Sequence, residues 1–162
     1  MHRLLLIALL LLSSTATRAR ERDVDVMTFN IRCGSCEQPD DVNHWSRRRT
    51  RVVALIARYQ PDLIGLQEAE RLQIHDLVDA LGDYAWFGVG RDDGQAQGEA
   101  TAILYRKARF KLLSQQTRWL SPTPEVVGKG WDAALNRTVS IVHLRDLKSR
   151  RELWMFNAHF DH

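Results

Sequence analysis

Apolar and polar positions change their spacing several times along the chain, and each change marks an element. From Val24 to Ile31 apolar and polar residues alternate among β-formers, which predicts a strand. Gly, Pro, Asp and Asn crowd residues 34–44 and predict a loop. With Ser46 as N-cap, Val52, Leu55, Ile56 and Tyr59 then recur at helical spacing until Pro61 stops the helix. Leu63-Ile64-Gly65-Leu66 has the uninterrupted apolar pattern of a short buried strand. Ile74, Leu77, Val78 and Leu81 mark one face of a second helix, closed by Gly82.

Beyond Gly82 the pattern turns to β. Tyr84 to Val89 predicts a strand and Gly90 to Glu99 a polar loop. Thr101–Tyr105, Phe110–Leu113 and Gln116–Leu120 predict short strands at close intervals. Ser121 to Leu135 is a Pro- and Gly-bearing loop long enough to expect a function of it. Val139–Leu144 and Leu153–Asn157 predict a hairpin joined around Lys148-Ser149. There is no internal repeat and no low-complexity tract. Helices early and strands late predict an α+β layered fold with sheets packed together.

Composition adds compartment more than function. The chain has 162 residues, 44% hydrophobic and 27% charged, enough for one domain or part of one with its own core. Residues 1–19 have the layout of a secretory signal: a basic start at Met1-His2-Arg3, an unbroken apolar run from Leu4 to Leu12, and small residues with cleavage sites ending at Ala16 and Ala19. The run is shorter than the roughly 20 residues that span a bilayer. A secreted or periplasmic protein is therefore expected, with its domain over residues 23–162. The signal holds Arg3 and Arg18 and no acid, so removing it lowers the formal net charge from +3 to +1. A charge that small gives no push toward nucleic acid.

Cys33 and Cys36 stand in Cys-Gly-Ser-Cys after the first strand. A thioredoxin-like redox motif would open an amphipathic helix. Here Glu37-Gln38-Pro39-Asp40-Asp41 follows, so the pair reads as loop cysteines, with or without a disulfide.

Three polar residues at predicted strand ends carry the chemistry. Asn30 ends the first strand, Glu68 follows the Leu63–Leu66 strand, and His159 follows the last strand. If those strands are neighbours, the three converge on one rim. Mg²⁺ takes oxygen ligands, one or two from carboxylates and the rest from water and substrate phosphate. Glu68 and Asn30 offer such oxygens, and His159 offers charge stabilisation or proton transfer. Taken singly, a Glu after an apolar strand is usually a solvated or capping residue, and an Asn usually sits in a turn.

The surrounding residues make the set specific. Val26-Met27-Thr28-Phe29-Asn30-Ile31-Arg32, Pro61-Asp62-Leu63-Ile64-Gly65-Leu66-Gln67-Glu68 and Asn157-Ala158-His159-Phe160-Asp161-His162 resemble, in order and spacing, three motifs of the deoxyribonuclease-I-like endonuclease/exonuclease/phosphatase superfamily. Gly88 to Arg91, Gly98-Glu99, Ile103-Leu104-Tyr105, Trp119-Leu120-Ser121 and Gly130 to Arg137 resemble a secreted bacterial branch of it. The resemblance covers about residues 23–162. It implies a four-layer α/β sandwich, two packed sheets flanked by helices, and attack of water on a phosphoester. It implies Glu68 as a direct Mg²⁺ ligand, Asn30 as a second metal-site residue, and His159 beside the scissile phosphate. Mn²⁺ is the alternative ion. The superfamily also carries a later Asp-x-Asn and a terminal Asp-His pair. Asp161-His162 belongs to the central His motif and is not that pair. The chain is therefore expected to be the N-terminal portion of such a domain, inactive and poorly stable by itself.

Further residues are candidates for substrate contact. Arg91 flanks the Gly-rich loop, Asn136-Arg137 closes the long one, and Asn157 opens the His motif. Trp119 and Trp131 offer stacking surfaces, or core. Arg47 to Arg51 is a basic run at a helix start, where cations oppose the helix dipole; it suits a phosphate contact or a solvated face. His143 suits packing or surface and His75 solvent.

Two rival functions are weaker. His159-Phe160-Asp161-His162 resembles part of a Zn²⁺-hydrolase signature, but Asn157 stands where its first His belongs. A secreted non-catalytic binder of phosphate or metal is the other. Nucleic acid, lipid head groups and small phosphoesters remain open as substrates, since fold does not fix function. No stable protein partner is implied, and a monomer is expected.

Overall fold

A computed structural model describes residues 23–161. The expected signal at 1–19 lies outside the described residues, as does His162. Strand β1 (Val26–Asn30) leads through helix α1 (Trp45–Tyr59) to β2 (Leu63–Gln67), helix α2 (Arg71–Leu81), β3 (Tyr84–Phe87) and β4 (Ile103–Arg106). Strands β5 (Phe110–Trp119), β6 (Thr138–Asp146) and β7 (Glu152–Ala158) follow. The first four strands form one sheet in the order β1-β2-β4-β3, and the last three form a second in the order β5-β6-β7.

Side-chain alternation along β2 and β4 explains the layers. Successive residues of a strand face opposite ways. Ile64, Leu66 and Leu104 pack under the helices with Val52, Ile56, Ile74 and Leu77. Leu63, Ile103 and Tyr105 face the other way, onto Phe110, Val142 and Leu144 of the second sheet. Two packed sheets with two helices form the expected α/β sandwich; among the described residues both helices join the core on one side of the four-stranded sheet.

Three local expectations need correction. The N-cap of α1 is His44, whose Nδ1 accepts from the Ser46 N–H; Ser46 is the second residue of the helix. Leu55 and Tyr59 are exposed on α1, and only Val52 and Ile56 of the predicted stripe are buried, because the sheet covers a narrower stripe than the spacing marks. Phe110–Trp119 is one strand, not two: a register shift between Leu112 and Ser114 absorbs the apparent break. In the basic run at the start of α1, Arg47, Arg49 and Arg51 stay exposed, as a solvated face would, while Arg48 is drawn into the fold. Arg48 donates to Glu37 Oε1 at 2.7 Å and to the Arg32 carbonyl at 2.7 Å, and Arg49 pairs with Asp76 at 3.1 Å.

The sheets are joined at both ends. Arg109 sits between Asp62 and Asp146 at one end. Nearer the other, Asn157 Nδ2 donates to the carbonyls of Leu66 (2.7 Å) and Ala102 (3.0 Å), and its Oδ1 accepts from Gln67 Nε2 (2.7 Å). Gly65 makes room for this amide: a Cβ there would stand 2.8 Å from Asn157 Oδ1.

Candidate active site

Parallel pairing of β1 with β2 sets Asn30 beside Gln67, one residue short of Glu68. Antiparallel pairing of β6 with β7 returns the chain so that His159 emerges at the same rim. The predicted triad therefore converges. Asn30 Nδ2 donates to Glu68 Oε1 at 2.8 Å, and His159 Nε2 lies 3.9 Å from that same oxygen. Glu68 holds a left-handed backbone conformation, φ 58°. Such a conformation costs a residue with a Cβ roughly 1–3 kcal/mol, and strain of this kind clusters at functional sites.

A fourth residue, not among the candidates read from the sequence, stands at the centre. Glu99 Oε2 lies 3.8 Å from His159 Nδ1, and the carboxylate takes a two-pronged bond from Arg91, at 2.9 and 3.0 Å. Burial pushes the Glu99 carboxyl up; Arg91 pulls it down, Glu68 pushes it up again, His159 and Arg137 pull it down, and the result stays above the ordinary value. Arg91 and Glu99 were visible as the flanks of a Gly-rich loop. Their pairing was not, because it depends on how that loop closes. Gly90 is what lets it close: a Cβ at Gly90 would lie 2.1 Å from the Gln97 carbonyl oxygen.

Arg137 is also at the site, gripped by Asp161 at 2.8 and 3.0 Å. Together Glu68, Glu99, Arg91, Arg137 and His159 line a cleft of about 260 Å³, with Leu135 and the Cys33–Cys36 pair on its wall. Two acids, two guanidiniums and an imidazole facing one cavity give a place where a cation and an anion are both attracted.

Other candidates fall elsewhere. Asn157 is buried, and its amide is spent between the sheets, so it holds the site from beneath instead of reaching a substrate. Asn136 borders the site, but its Nδ2 donates to the Arg91 carbonyl and to Asp92, both at 3.2 Å, clamping one loop to the other. Trp119 is core, with Nε1 donating to the Arg91 carbonyl at 2.8 Å. Trp131 is 80% exposed and remains a free aromatic face. His75 is exposed against the edge of Trp86, and His143 stacks on Trp154. The long loop does reach the site: the Ala134 N–H donates to Asp161, and Leu135 borders the cleft.

The donor set fits a hard cation, with one change. Asn30 Oδ1 accepts from the Arg32 N–H at 2.9 Å, which turns its amide nitrogen toward Glu68. Asn30 therefore orients the carboxylate in this arrangement, and Glu68 is the one of the two that offers a free oxygen.

Residues 27–157 match the Endonuclease/Exonuclease/phosphatase family. An endonuclease/exonuclease/phosphatase from Bacteroides vulgatus is similar in structure, with a TM-score of 0.81 and 38% identity over 86% of this chain and 53% of that one. The mannosyl-6-phosphatase of Bacteroides thetaiotaomicron matches with a TM-score of 0.82 and 35% identity over 86% of this chain and 52% of its own. An uncharacterized protein of Acanthamoeba polyphaga mimivirus is 28% identical over 143 residues, 84% of this chain and 53% of that protein. The chain thus spans about half the length of the relatives it matches. With the three motifs meeting at one cleft and the family match running over residues 27–157, the chain belongs to the endonuclease/exonuclease/phosphatase family.

Proposed function

We propose that this chain carries the metal and phosphate side of a Mg²⁺-dependent phosphoester hydrolase whose substrate is a small phosphorylated molecule of the sugar-phosphate kind. The observation that carries the reading is the meeting of Glu68, His159 and Glu99 in one cleft with Arg91 and Arg137 beside them. Family membership supports phosphoester chemistry, and the 35% identity to a mannosyl-6-phosphatase favours a sugar phosphate over nucleic acid or a lipid head group. The signal pattern of residues 1–19 supports a setting outside the cytoplasm.

Glu68 would hold the ion, Mg²⁺ or alternatively Mn²⁺, with Asn30 keeping the carboxylate turned toward it. Once bound, the ion supplies Lewis-acid polarisation of a phosphoryl oxygen and lowers the charge that an attacking water must approach. The protein groups do the rest. Arg91 and Arg137 present cationic guanidiniums to the anion, each held by an acid so that its planar face is fixed. His159 presents Nε2 to the rim and Nδ1 to Glu99, which sets the ring for donating to a phosphoryl oxygen as negative charge builds there.

Isothermal titration of the chain with mannose 6-phosphate and with inorganic phosphate, with and without Mg²⁺, tests this. Phosphate binding that needs Mg²⁺ is expected, and Glu68→Gln should weaken it about tenfold or more, about 1.4 kcal/mol or more. Binding indifferent to Mg²⁺, or untouched by Glu68→Gln, would overturn the assignment. Equal binding of phosphate and mannose 6-phosphate would keep the site and remove the sugar.

A further inference from the structure

Strand β6 starts beside the cleft at Thr138 and ends at Asp146, nine residues on. At roughly 3.4 Å a residue that is about 27 Å. The turn over residues 147–151, which joins β6 to β7, therefore stands at the far end of the molecule from the site. Its backbone is held tightly. Asp146 Oδ1 accepts from the Lys148 N–H at 2.8 Å and Oδ2 from the Ser149 hydroxyl at 3.0 Å. The Asp146 carbonyl accepts from the Arg150 N–H and the Arg109 carbonyl from the Leu147 N–H, both at 2.8 Å. The side chains of the turn are left outside. Leu147 is 50% exposed, and Lys148, Arg150 and Arg151 are exposed with it. Among the described residues these three cations take part in no ion pair and no side-chain hydrogen bond.

Two features here work against the fold. Lys111 of β5 stands directly opposite Arg145 of β6, and like charges in that position repel across the strands. Arg150 holds φ at 60°, in the left-handed region where glycine would be unstrained. Charge at this end is also one-sided. Lys111, Arg145, Lys148, Arg150 and Arg151 are exposed cations, while Asp146 is buried against Arg109. The exposed acid beside them, Glu152, is already shared between Arg145 and His143. Asp23 and Asp25, exposed too, precede β1 in the other sheet.

We propose that the 147–151 turn, with Lys111 and Arg145 beside it, docks the protein on an anionic lipid surface. Clustered Lys and Arg side chains are drawn to the negative potential of such a surface. Leu147 decides between a bilayer and a dissolved polyanion. An apolar side chain at the tip of a basic turn gains nothing from a polyanion, but at a bilayer it enters the boundary between head groups and acyl chains while the cations stay with the phosphates. The turn is already ordered by Asp146, so docking costs little conformational entropy. A protein held by this end keeps its cleft turned away from the lipid and open to dissolved substrate; that consequence alone rests on the function proposed above.

Co-sedimentation with lipid vesicles tests this. The chain is used without residues 1–19, whose apolar run would bind lipid by itself, and circular dichroism confirms that it and each variant are folded. Vesicles of equal parts phosphatidylcholine and phosphatidylglycerol should bind it, and vesicles of phosphatidylcholine alone should not. Binding should be lost in about 1 M NaCl, where charges are screened beyond about 3 Å. Lys148→Gln together with Arg151→Gln should weaken binding about tenfold or more. Arg150→Gly should weaken it about threefold or more without lowering the urea midpoint. Leu147→Ser should also weaken it about threefold or more. Equal binding to both kinds of vesicle, or binding that ignores the paired Lys148 and Arg151 substitutions, would overturn the proposal. So would duplex DNA bound as tightly as the anionic vesicles with Leu147→Ser without effect, which would make the turn a polyanion site. All of these variants should keep Mg²⁺-dependent phosphate binding unchanged, so failure at the turn and failure at the cleft are told apart.

Discussion

Buried arginines sit at both ends of the sheet pair, and the two ends use the same chemistry for opposite purposes. At the end away from the cleft, Arg109 is bracketed by Asp62 and Asp146, and the side chains are 6, 12 and 2% exposed. The Asp146 carboxyl is pushed up by burial, but the Lys148 N–H, the Ser149 hydroxyl and Arg109 outweigh that and hold it below the ordinary value. At the cleft end, Arg91 meets Glu99 with equally good geometry, yet Glu99 also faces Glu68 and its carboxyl stays raised. One end is closed around its paired charges. The other keeps acids close together in an open cavity, an arrangement that a cation or a phosphoryl group would complete and that folding alone does not favour.

The largest effect expected from this contrast is at the closed end. Arg109→Ala strands two buried carboxylates, and removing one partner of such a network costs about 3–5 kcal/mol. Urea unfolding should show a loss of that size. A loss below about 1 kcal/mol would mean that water reaches the acids and that the two ends do not differ as described.

A smaller effect is expected between the ends. Gly65→Ala puts a Cβ 2.8 Å from Asn157 Oδ1, so the amide that ties β7 to β2 and β4 must move. Overpacking of this kind costs about 1–3 kcal/mol. His159 lies two residues along the same strand end, so Mg²⁺-dependent phosphate binding should weaken together with stability. Lost stability with unchanged binding would show that the clamp serves the fold alone.

The contrast also explains what could be read from the sequence. Elements that obey one periodicity were legible: β1, β2 and both helices fall where the spacing puts them, and the motif residues Asn30, Glu68 and His159 converge because parallel and antiparallel pairing carry them there. Glu99 escaped because its importance lies in distances to Arg91, Glu68 and His159, across loops that no periodicity describes. Asn157 was misjudged for a related reason: a polar residue in a motif points equally well up to a ligand or down between two sheets, and only the gap at Gly65 decides. Tyr59 fits the helical stripe but not the width of the sheet beneath it.

The smallest effect should distinguish the ends by sign. Asp146 has a folded pKa below its ordinary 3.8, so its contribution to stability is present above that value and is lost as pH falls through the folded pKa. Glu99 has a folded pKa above its ordinary 4.5, so its contribution is present below that value and is lost as pH rises through the folded pKa. Asp146→Asn should therefore narrow its stability gap to the parent chain on acidification below pH 3.8, where the parent's own aspartate is being protonated. Glu99→Gln should compare best with the parent on the neutral side, where the parent must carry a disfavoured charge, and lose ground as pH falls toward 4.5. Urea midpoints of both variants and the parent across that range decide it. If Glu99→Gln instead loses ground as pH rises, Arg91 outweighs burial and Glu68, and the cleft end is as closed a salt bridge as the other.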